Sequence, residues 1–527
     1  MNIREMLAGP VEAQALAVAL LDRLTEVRAE ALAEAERTLA GWRPHVRREG
    51  FLPSVENLAL YLALRKLDLT AEQAALTELG LSSLGRAESH VLATLDAVIG
   101  ALAALAGRSP GTGSVSRRFD RAARRIERRR DAIFGADPQG PSTRILVTLP
   151  TEAADDPAVV AGLVAAGAAA VRINCAHDGP AAWAAMIDHV RAAAAAAGRR
   201  VPVYMDLAGP KVRTRAVSCP RAWAKREKKK IRKSLKHPLS PPAGFGPRLL
   251  RGDRLALCDA LRGDLAQVEV VLSHPALLGA LKPGAMVHFD DGKLGARVLR
   301  VVPGRAELEV THVRDKGARL RPEKGVNLPG VEIDIPALTE ADLAALDFAV
   351  GRADIIGYSF VQTARDVRAI HTEIAARLPE GAEMPALVLK VETDLALHNL
   401  PRLIVQAGAL APVAVMIARG DLAVEIGLER LSEVQEEILW LCEAAEVPVI
   451  WATQVLENLA KDGFATRAEA TDAAMAQRAE CVMLNKGPYT EEAIAFLRKV
   501  GLRMDRHQSK KTPRLGPLRA WTAPQGL

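Results

Sequence analysis

The sequence predicts an α/β fold: a TIM (β/α)8 barrel with an inserted small β-barrel domain and an α-helical N-terminal region. Three observations predict it. Eight apolar runs of strand length, with helix-length spacers, recur between Arg144 and Gly487, the number of parallel strands that closes such a barrel. Two neighbouring runs end in opposite charges, Lys390 with Glu392 and Arg419 with Asp421, although a buried parallel strand is otherwise apolar on both faces. The third run ends at Leu207 and the fourth begins at Asp354, a gap far too long for a βα loop.

Residues 1–140 read as helices. Val11–Ala40, Leu58–Leu67 and Glu88–Leu105 carry aliphatic residues at three- and four-residue spacing, which is the pattern of an amphipathic helix. SPGTGS at 109–114 signals a linker, and an Arg-rich helix follows over 117–130. No catalytic cluster is found here; His45 and His90 read as single surface or satisfied histidines.

The barrel is expected over 141–215 and 326–510. Its strand candidates are RILVTL (144–149), AVRINC (170–175), VPVYMDL (201–207), DIIGYSF (354–360), ALVLKVE (386–392), VAVMIARGD (413–421), VPVIWATQ (447–454) and CVMLNKG (481–487). Residues 216–325 form the insert, with short β-like runs punctuated at Pro283-Gly284, Asp291-Gly292 and Pro303-Gly304. Because it leaves from a strand's carboxyl end, it is expected to sit over the catalytic face as a lid. Residues 511–527 read as a tail.

Composition narrows the function. Hydrophobic residues make up 49% of the 527, enough for a large core, and aromatics only 4%. Five cysteines without a CxxC pair indicate neither a zinc site nor a disulfide framework. The net charge of +7 is concentrated in 117–130 and 221–236. Neither run interleaves aromatics, so both read as solvated surface, with no nucleic acid as partner. No signal pattern and no apolar run of membrane-spanning length is found. A cytoplasmic protein with no membrane partner is the expectation.

The strand ends carry the chemistry. The second offers Arg172, Asn174 and His177; the third Asp206, Lys211 and Arg213; the fourth Ser359; the seventh Thr453 and Gln454; the eighth Asn485 and Lys486. With Lys390, Glu392, Arg419 and Asp421 they place cations around a carboxylate pair. Two carboxylates can hold a divalent cation through oxygen, and the basic groups suit a phosphorylated anion. In phosphoryl transfer the protein mainly positions groups and neutralises charge.

These residues resemble the pyruvate kinase family over roughly 144–217 and 284–487. AVRINCAH, DLAGPKVRT, HFDDGKL, KGVNLPGVEIDIPALTEADLAALDFAV, SFVQTARDV, ARGDLAVEI, ATQVLENL and TRAEATDAA follow in the family's order. The resemblance implies a phosphotransferase that converts phosphoenolpyruvate and ADP to pyruvate and ATP. It implies Glu392 and Asp421 as ligands of Mg2+ or Mn2+. Lys390 would stabilise the phosphoryl group and the enolate oxygen, and Arg172 would hold phosphate. Asn174, His177 and Arg213 would surround the nucleotide and phosphoryl site, with Ser359 also in the substrate site. Lys324 would reach nucleotide phosphates from the insert. Thr453 would lie by the enolpyruvate carbon, and the backbone of Ala418–Asp421, including Arg419 and Gly420, would take the substrate carboxylate. A homo-oligomer is expected by family analogy through TRAEATDAA.

Three departures from the family pattern stand out. Ala176 and Leu207 replace two hydroxyl residues of a monovalent-cation site, and Lys211 stands where potassium-dependent members have Glu. Lys211 is expected to supply the ion's charge, so no monovalent cation is predicted. The eighth strand ends in Asn485 rather than Ser, and an amide does not relay a proton as a hydroxyl does. The family's carboxy-terminal effector domain has no counterpart. Two alternatives stay open: a divalent-cation enolate enzyme (a lyase or aldolase) acting on pyruvate or another 2-oxo acid, and a non-catalytic sensor of phosphoenolpyruvate or nucleotide.

Overall fold

The computed structural model describes residues 3, 12–109, 118–220, 223, 246–263, 267–331 and 335–514. The basic run at 221–236, apart from Trp223, most of the 109–114 linker and the end of the 511–527 tail lie outside the described residues.

The N-terminal region is built from α1 (Ala13–Trp42), α2 (Leu52–Leu64), α3 (Thr70–Glu78), α4 (Val91–Leu105) and α5 (Arg118–Phe134). Helix α1 buries one stripe, from Leu16 through Leu20, Leu24, Val27, Ala31 and Ala35 to Leu39, at the spacing of a single helix face. That stripe packs against α2 and α4. One expectation fails here. Glu88–Leu105 is apolar and long enough to cross a membrane by length and composition, with mean hydropathy 1.4. It is instead part of this bundle: Asp96 is paired with Arg28 at 2.7 Å, and Glu88 at its head with Lys511.

Eight parallel strands close the barrel: β1 (Arg144–Thr148), β2 (Ala170–Asn174), β3 (Val203–Asp206), then β13 (Ile355–Tyr358), β14 (Ala386–Val391), β15 (Val413–Ala418), β16 (Val449–Ala452) and β17 (Cys481–Leu484), each beside its sequence neighbour and β17 beside β1. Between them run α6 (Pro157–Ala166), α7 (Pro180–Ala196), α8 (Glu340–Ala349), α9 (Ala364–Arg377), α10 (Asp394–Gly408), α11 (Arg419–Ile426), α12 (Leu428–Ala444), α13 (Glu457–Asp462) and α14 (Arg467–Met475); α15 (Thr490–Met504) follows β17. Several helices start where the sequence caps them. Thr339, Thr363 and Thr466 each accept from the residue three positions on, whose Asp or Glu reaches back to the cap, satisfying amides that the helix cannot.

Inward residues of the strands, among them Leu146, Tyr204, Val388, Met416 and Ile450, fill the barrel interior. Phe134, at the end of α5, joins them with no exposed surface, so the N-terminal region plugs the face opposite the strand ends. Further contacts fasten it. Arg48 donates to the carbonyls of Gly408 and Ala411. Arg125, Arg129 and Ser54 all meet the buried Glu446 carboxylate.

The insert is a seven-stranded sheet in the order β12–β8–β9–β10–β6–β7–β4. Its strands are β4 (Thr214–Val217), β6 (Arg254–Cys258), β7 (Val268–Leu272), β8 (Met286–Phe289), β9 (Leu294–Val302), β10 (Arg305–Val313) and β12 (Val326–Asn327), with β5 (Arg248–Leu249) and β11 (Ala318–Arg319) paired separately. An antiparallel bridge between Arg213 and Gly325 joins its two edges. The sheet therefore reaches two residues beyond 216–325 on each side, because the strands that leave and re-enter the barrel pair with each other. The tail also differs from expectation at its start: β18 (Gln508–Ser509) and β19 (Thr512–Pro513) form a hairpin, which anchors Lys510 on Glu480 and Lys511 on Glu88.

Candidate active site

Parallel register brings the charged strand ends to one level. Asn174 lies opposite Asp206, Tyr358 opposite Leu389, Val391 opposite Ile417 and Ala418 opposite Ala452. The residues just beyond these pairs cannot be buried in a neighbour's apolar face, so their charges meet over the barrel mouth.

At the centre is Asp206, 1% exposed. Arg172 reaches its Oδ2 through Nε at 2.8 Å and Nη2 at 2.6 Å, and donates through Nη1 to Thr148 Oγ1 at 3.1 Å. Lys390 Nζ lies 3.4 Å from Asp206 Oδ2, 3.2 Å from Glu392 Oε1 and donates to Ser359 Oγ at 2.6 Å. Ser359 Oγ donates a hydrogen bond to the Leu207 carbonyl at 2.7 Å. Burial would raise the Asp206 carboxyl, but Lys390 and Arg172 overcome it and hold the group below its ordinary range. Burial likewise opposes the Lys390 charge, and Asp206 and Glu392 outweigh it.

Glu392 is the opposite case. Burial pushes its carboxyl up, Lys390 pulls it back, and the like charge of Asp421 adds to the rise. Its Oε2 accepts the Phe360 N–H at 2.6 Å. Asp421, in the first turn of α11, accepts from Lys211 Nζ at 2.8 and 3.1 Å and from Asn327 Nδ2 at 3.3 Å. Two hard oxygen donors that repel each other across a charged mouth fit a small divalent cation that takes one or two carboxylates and completes its shell with substrate and water. Among the described residues no group of three His, Cys, Asp or Glu side chains is arranged to hold a metal.

Thr453 follows β16 with φ 63°, and Gln454 with φ 56°. A β-branched residue in the left-handed region is strained. Here the turn aims Thr453 Oγ1 at the Gly420 amide, 3.0 Å away. Asn174 caps its own turn, accepting from Ala176 N. His177 is exposed, and with Arg172, Asn174, Lys461, Asn485 and Lys486 it lines a cavity of about 190 Å³.

Three predicted residues have side-chain partners within the chain. Arg419 turns from the mouth and clamps Asp472 with both Nη atoms, at 2.5 and 2.9 Å, lying over the Trp451 ring. Lys324 donates to Asp290 of the insert at 3.0 Å, and Arg213 to the Glu323 carbonyl at 3.1 Å. Arg213 and Lys324 thus belong to the hinge between insert and barrel. Asn327 and Glu425 were not singled out from the sequence. Glu425 stands one helical turn after Asp421, a spacing that places both on one face, and Asn327 lies inside the KGVNLPG stretch. Burial, with Asp421 and Asp394 close by, raises Glu425 to about 7.

The family model described as pyruvate kinase, barrel domain, matches residues 141–240 and 248–494. A pyruvate kinase from Methylorubrum extorquens is 33% identical over 373 residues, 69% of this chain and 69% of its own length. One from Mycobacterium intracellulare is 32% identical over 365 residues, 68% and 69% of the two chains. Pyruvate kinase 1 of Trypanosoma brucei brucei is 30% identical over 347 residues, 64% of this chain and 62% of its own. The chain thus spans about three fifths of the length of that relative.

Proposed function

The chain belongs to the pyruvate kinase family, and on that premise we propose that it transfers a phosphoryl group between phosphoenolpyruvate and ADP, giving pyruvate and ATP. The observation that carries the reading is the buried network Arg172–Asp206–Lys390–Glu392 at the mouth of the barrel. It holds two cations in fixed, largely buried positions, where a charge-assisted contact to phosphate or enolate oxygen is stronger than in water.

Arg172 has five N–H groups. Three are spent on Asp206 and Thr148, which leaves two to bind and orient phosphate. Lys390 has three donors and three partners, so binding substrate means exchanging one of them; Ser359, the neutral partner, is the one given up at least cost. The backbone of Ala418–Asp421 would take the substrate carboxylate, and Thr453, whose Oγ1 accepts the Gly420 N–H, would lie by the enolpyruvate carbon. Glu392 and Asp421 would hold Mg2+ or Mn2+, and such an ion, when bound, neutralises phosphoryl and enolate charge. Lys211 supports independence from potassium: its ammonium already sits against Asp421, while Ala176 and Leu207 offer no hydroxyl to an ion.

Asn485 is the observation that favours a second reading. An amide in the phosphate-side cavity cannot relay the proton that turns enolpyruvate into pyruvate, and an enolate enzyme acting on a 2-oxo acid without ADP would not need it there. The test is pyruvate formation from phosphoenolpyruvate with Mg2+, with and without ADP and potassium, beside Lys390→Ala. Turnover that needs ADP, ignores potassium and is lost in the variant supports the kinase. No turnover of phosphoenolpyruvate, together with Mg2+-dependent exchange of the pyruvate methyl protons in D2O without ADP, moves the assignment to the enolate enzyme.

A further inference from the structure

Asn327 is the last residue of β12, where the insert hands the chain back to the barrel. Its backbone is fixed in the insert: it pairs with His288, and the preceding Val326 donates to the Val212 carbonyl at 2.8 Å. Its side chain is 6% exposed and crosses to α11. There the amide donates to Asp421 Oδ1 at 3.3 Å, close to Glu425 one turn later, whose carboxyl it pulls down. A single carboxamide thus faces two carboxylates of one helix.

The other end of the amide is telling. Asn327 Oδ1 is buried and has no partner. An orphaned buried acceptor weakens a fold, so packing does not account for an asparagine here. Turning the amide over would aim this oxygen at the Asp421 carboxylate, which repels it, so the bond to Asp421 sets its orientation. Lys211, on the segment that leaves the barrel for the insert, reaches the same Asp421 carboxylate. Outgoing and returning segments therefore meet on one oxygen pair.

We propose that Asn327 is a positioning residue for the divalent-cation site: it holds the Asp421 carboxylate in its ligating orientation and ties that orientation to the seating of the insert. The inference rests on the cation-binding reading of Glu392 and Asp421 given above. Outer partners of metal-binding carboxylates typically govern affinity by 10- to 100-fold, while a structural residue would govern stability.

The experiment titrates Mn2+ into metal-free protein without substrate and reads free Mn2+ by electron paramagnetic resonance. It compares wild type with Glu392→Gln, Asn327→Ala and Leu328→Val. Leu328 is 2% exposed in the insert core beside Asn327 and touches no carboxylate of the site, so its variant reports simple loosening. Asn327→Ala is expected to raise the Mn2+ Kd about tenfold or more, with a melting temperature equal to or above wild type. In turnover it raises the Mn2+ activation constant, with kcat at saturating Mn2+ within about threefold. Leu328→Val is expected to lower the melting temperature and leave the Kd within about twofold. Wild-type binding that Glu392→Gln abolishes and Asn327→Ala leaves unchanged overturns this inference alone, as does an equal loss in Leu328→Val. No Glu392-dependent Mn2+ binding in the wild type overturns the cation reading and this inference together.

Discussion

Lys211 and Asp421 form an ion pair between the hinge of the insert and the first turn of α11, with the ammonium 2.8 Å from one carboxylate oxygen and 3.1 Å from the other. Burial opposes the Lys211 charge, and Asp421 outweighs it, so the ammonium is held above its ordinary range. The site therefore carries this positive charge as part of the chain. Wild-type turnover is expected to be equal in sodium and potassium buffers. Lys211→Met is expected to lose about tenfold or more of kcat/KM, on the scale of one lost electrostatic contact. Potassium should not restore it, since Ala176 and Leu207 cannot ligate the ion. Potassium activation of the wild type would remove the role given to Lys211.

Lys390 neutralises two buried carboxylates at once. Lys390→Met leaves Asp206 and Glu392 facing each other, so it is expected to cut turnover by about 10²–10³-fold. It is also expected to cost about 3–5 kcal/mol of stability, the penalty for breaking a buried pair. Steady-state kinetics and chemical denaturation read the two effects separately. A variant of normal rate would eliminate the proposed chemistry.

Thr453 pairs a strained backbone with a hydroxyl on the Gly420 amide. Thr453→Ser keeps the hydroxyl and is expected to stay within about threefold of wild-type kcat/KM. Thr453→Val keeps the shape and loses the oxygen; a drop of about tenfold or more is expected. Equal behaviour of the two variants would show that the oxygen has no part in the site.

Glu443 supplies a pH test remote from the mouth. Burial raises its carboxyl to about 7, with Lys510 opposing and Glu88 and Glu480 reinforcing the rise. Between the ordinary value of 4.5 and about 7 the unfolded chain releases a proton that the folded chain keeps. Folding stability therefore falls as pH rises through that window and stays lower above it. Glu443→Gln is expected to match wild type near pH 5 and to melt about 1–3 °C higher near pH 8. Melting curves at the two pH values decide it, and a gain of the same size at both would contradict the titration.

Much of the architecture was legible because barrel strands are simple objects in sequence. An apolar run such as ALVLKVE can be buried on both sides only up to Lys390, and the charges then have to leave the sheet. Lys390, Glu392, Asp421 and Arg172 accordingly lie where their strand ends put them. What stayed hidden depends on partners distant in the chain. Arg419 reads as a strand-end cation, yet Asp472 on α14 takes it. Lys324 reads as a phosphate ligand, yet Asp290 lies beside it in the folded insert. The edges of the insert were missed by two residues because the Arg213–Gly325 bridge is a pairing between strands with no periodicity to announce it.

The clasp of Arg48 on Gly408 and Ala411 joins positions 360 and 363 residues apart. During synthesis at about 5–20 residues per second, the helices α1 and α2 wait roughly 20–70 seconds after leaving the ribosome before the strand and helix they grip have been made. Phe51, buried against Gly408 in the finished protein, lacks that partner throughout the interval. The early bundle must either hold itself together with its own α1–α2–α4 packing or be sheltered by a chaperone. Phe134 is made before the first barrel strand, so the residue that plugs the barrel's base waits on the chain until the eighth strand, Cys481–Leu484, closes the sheet around it.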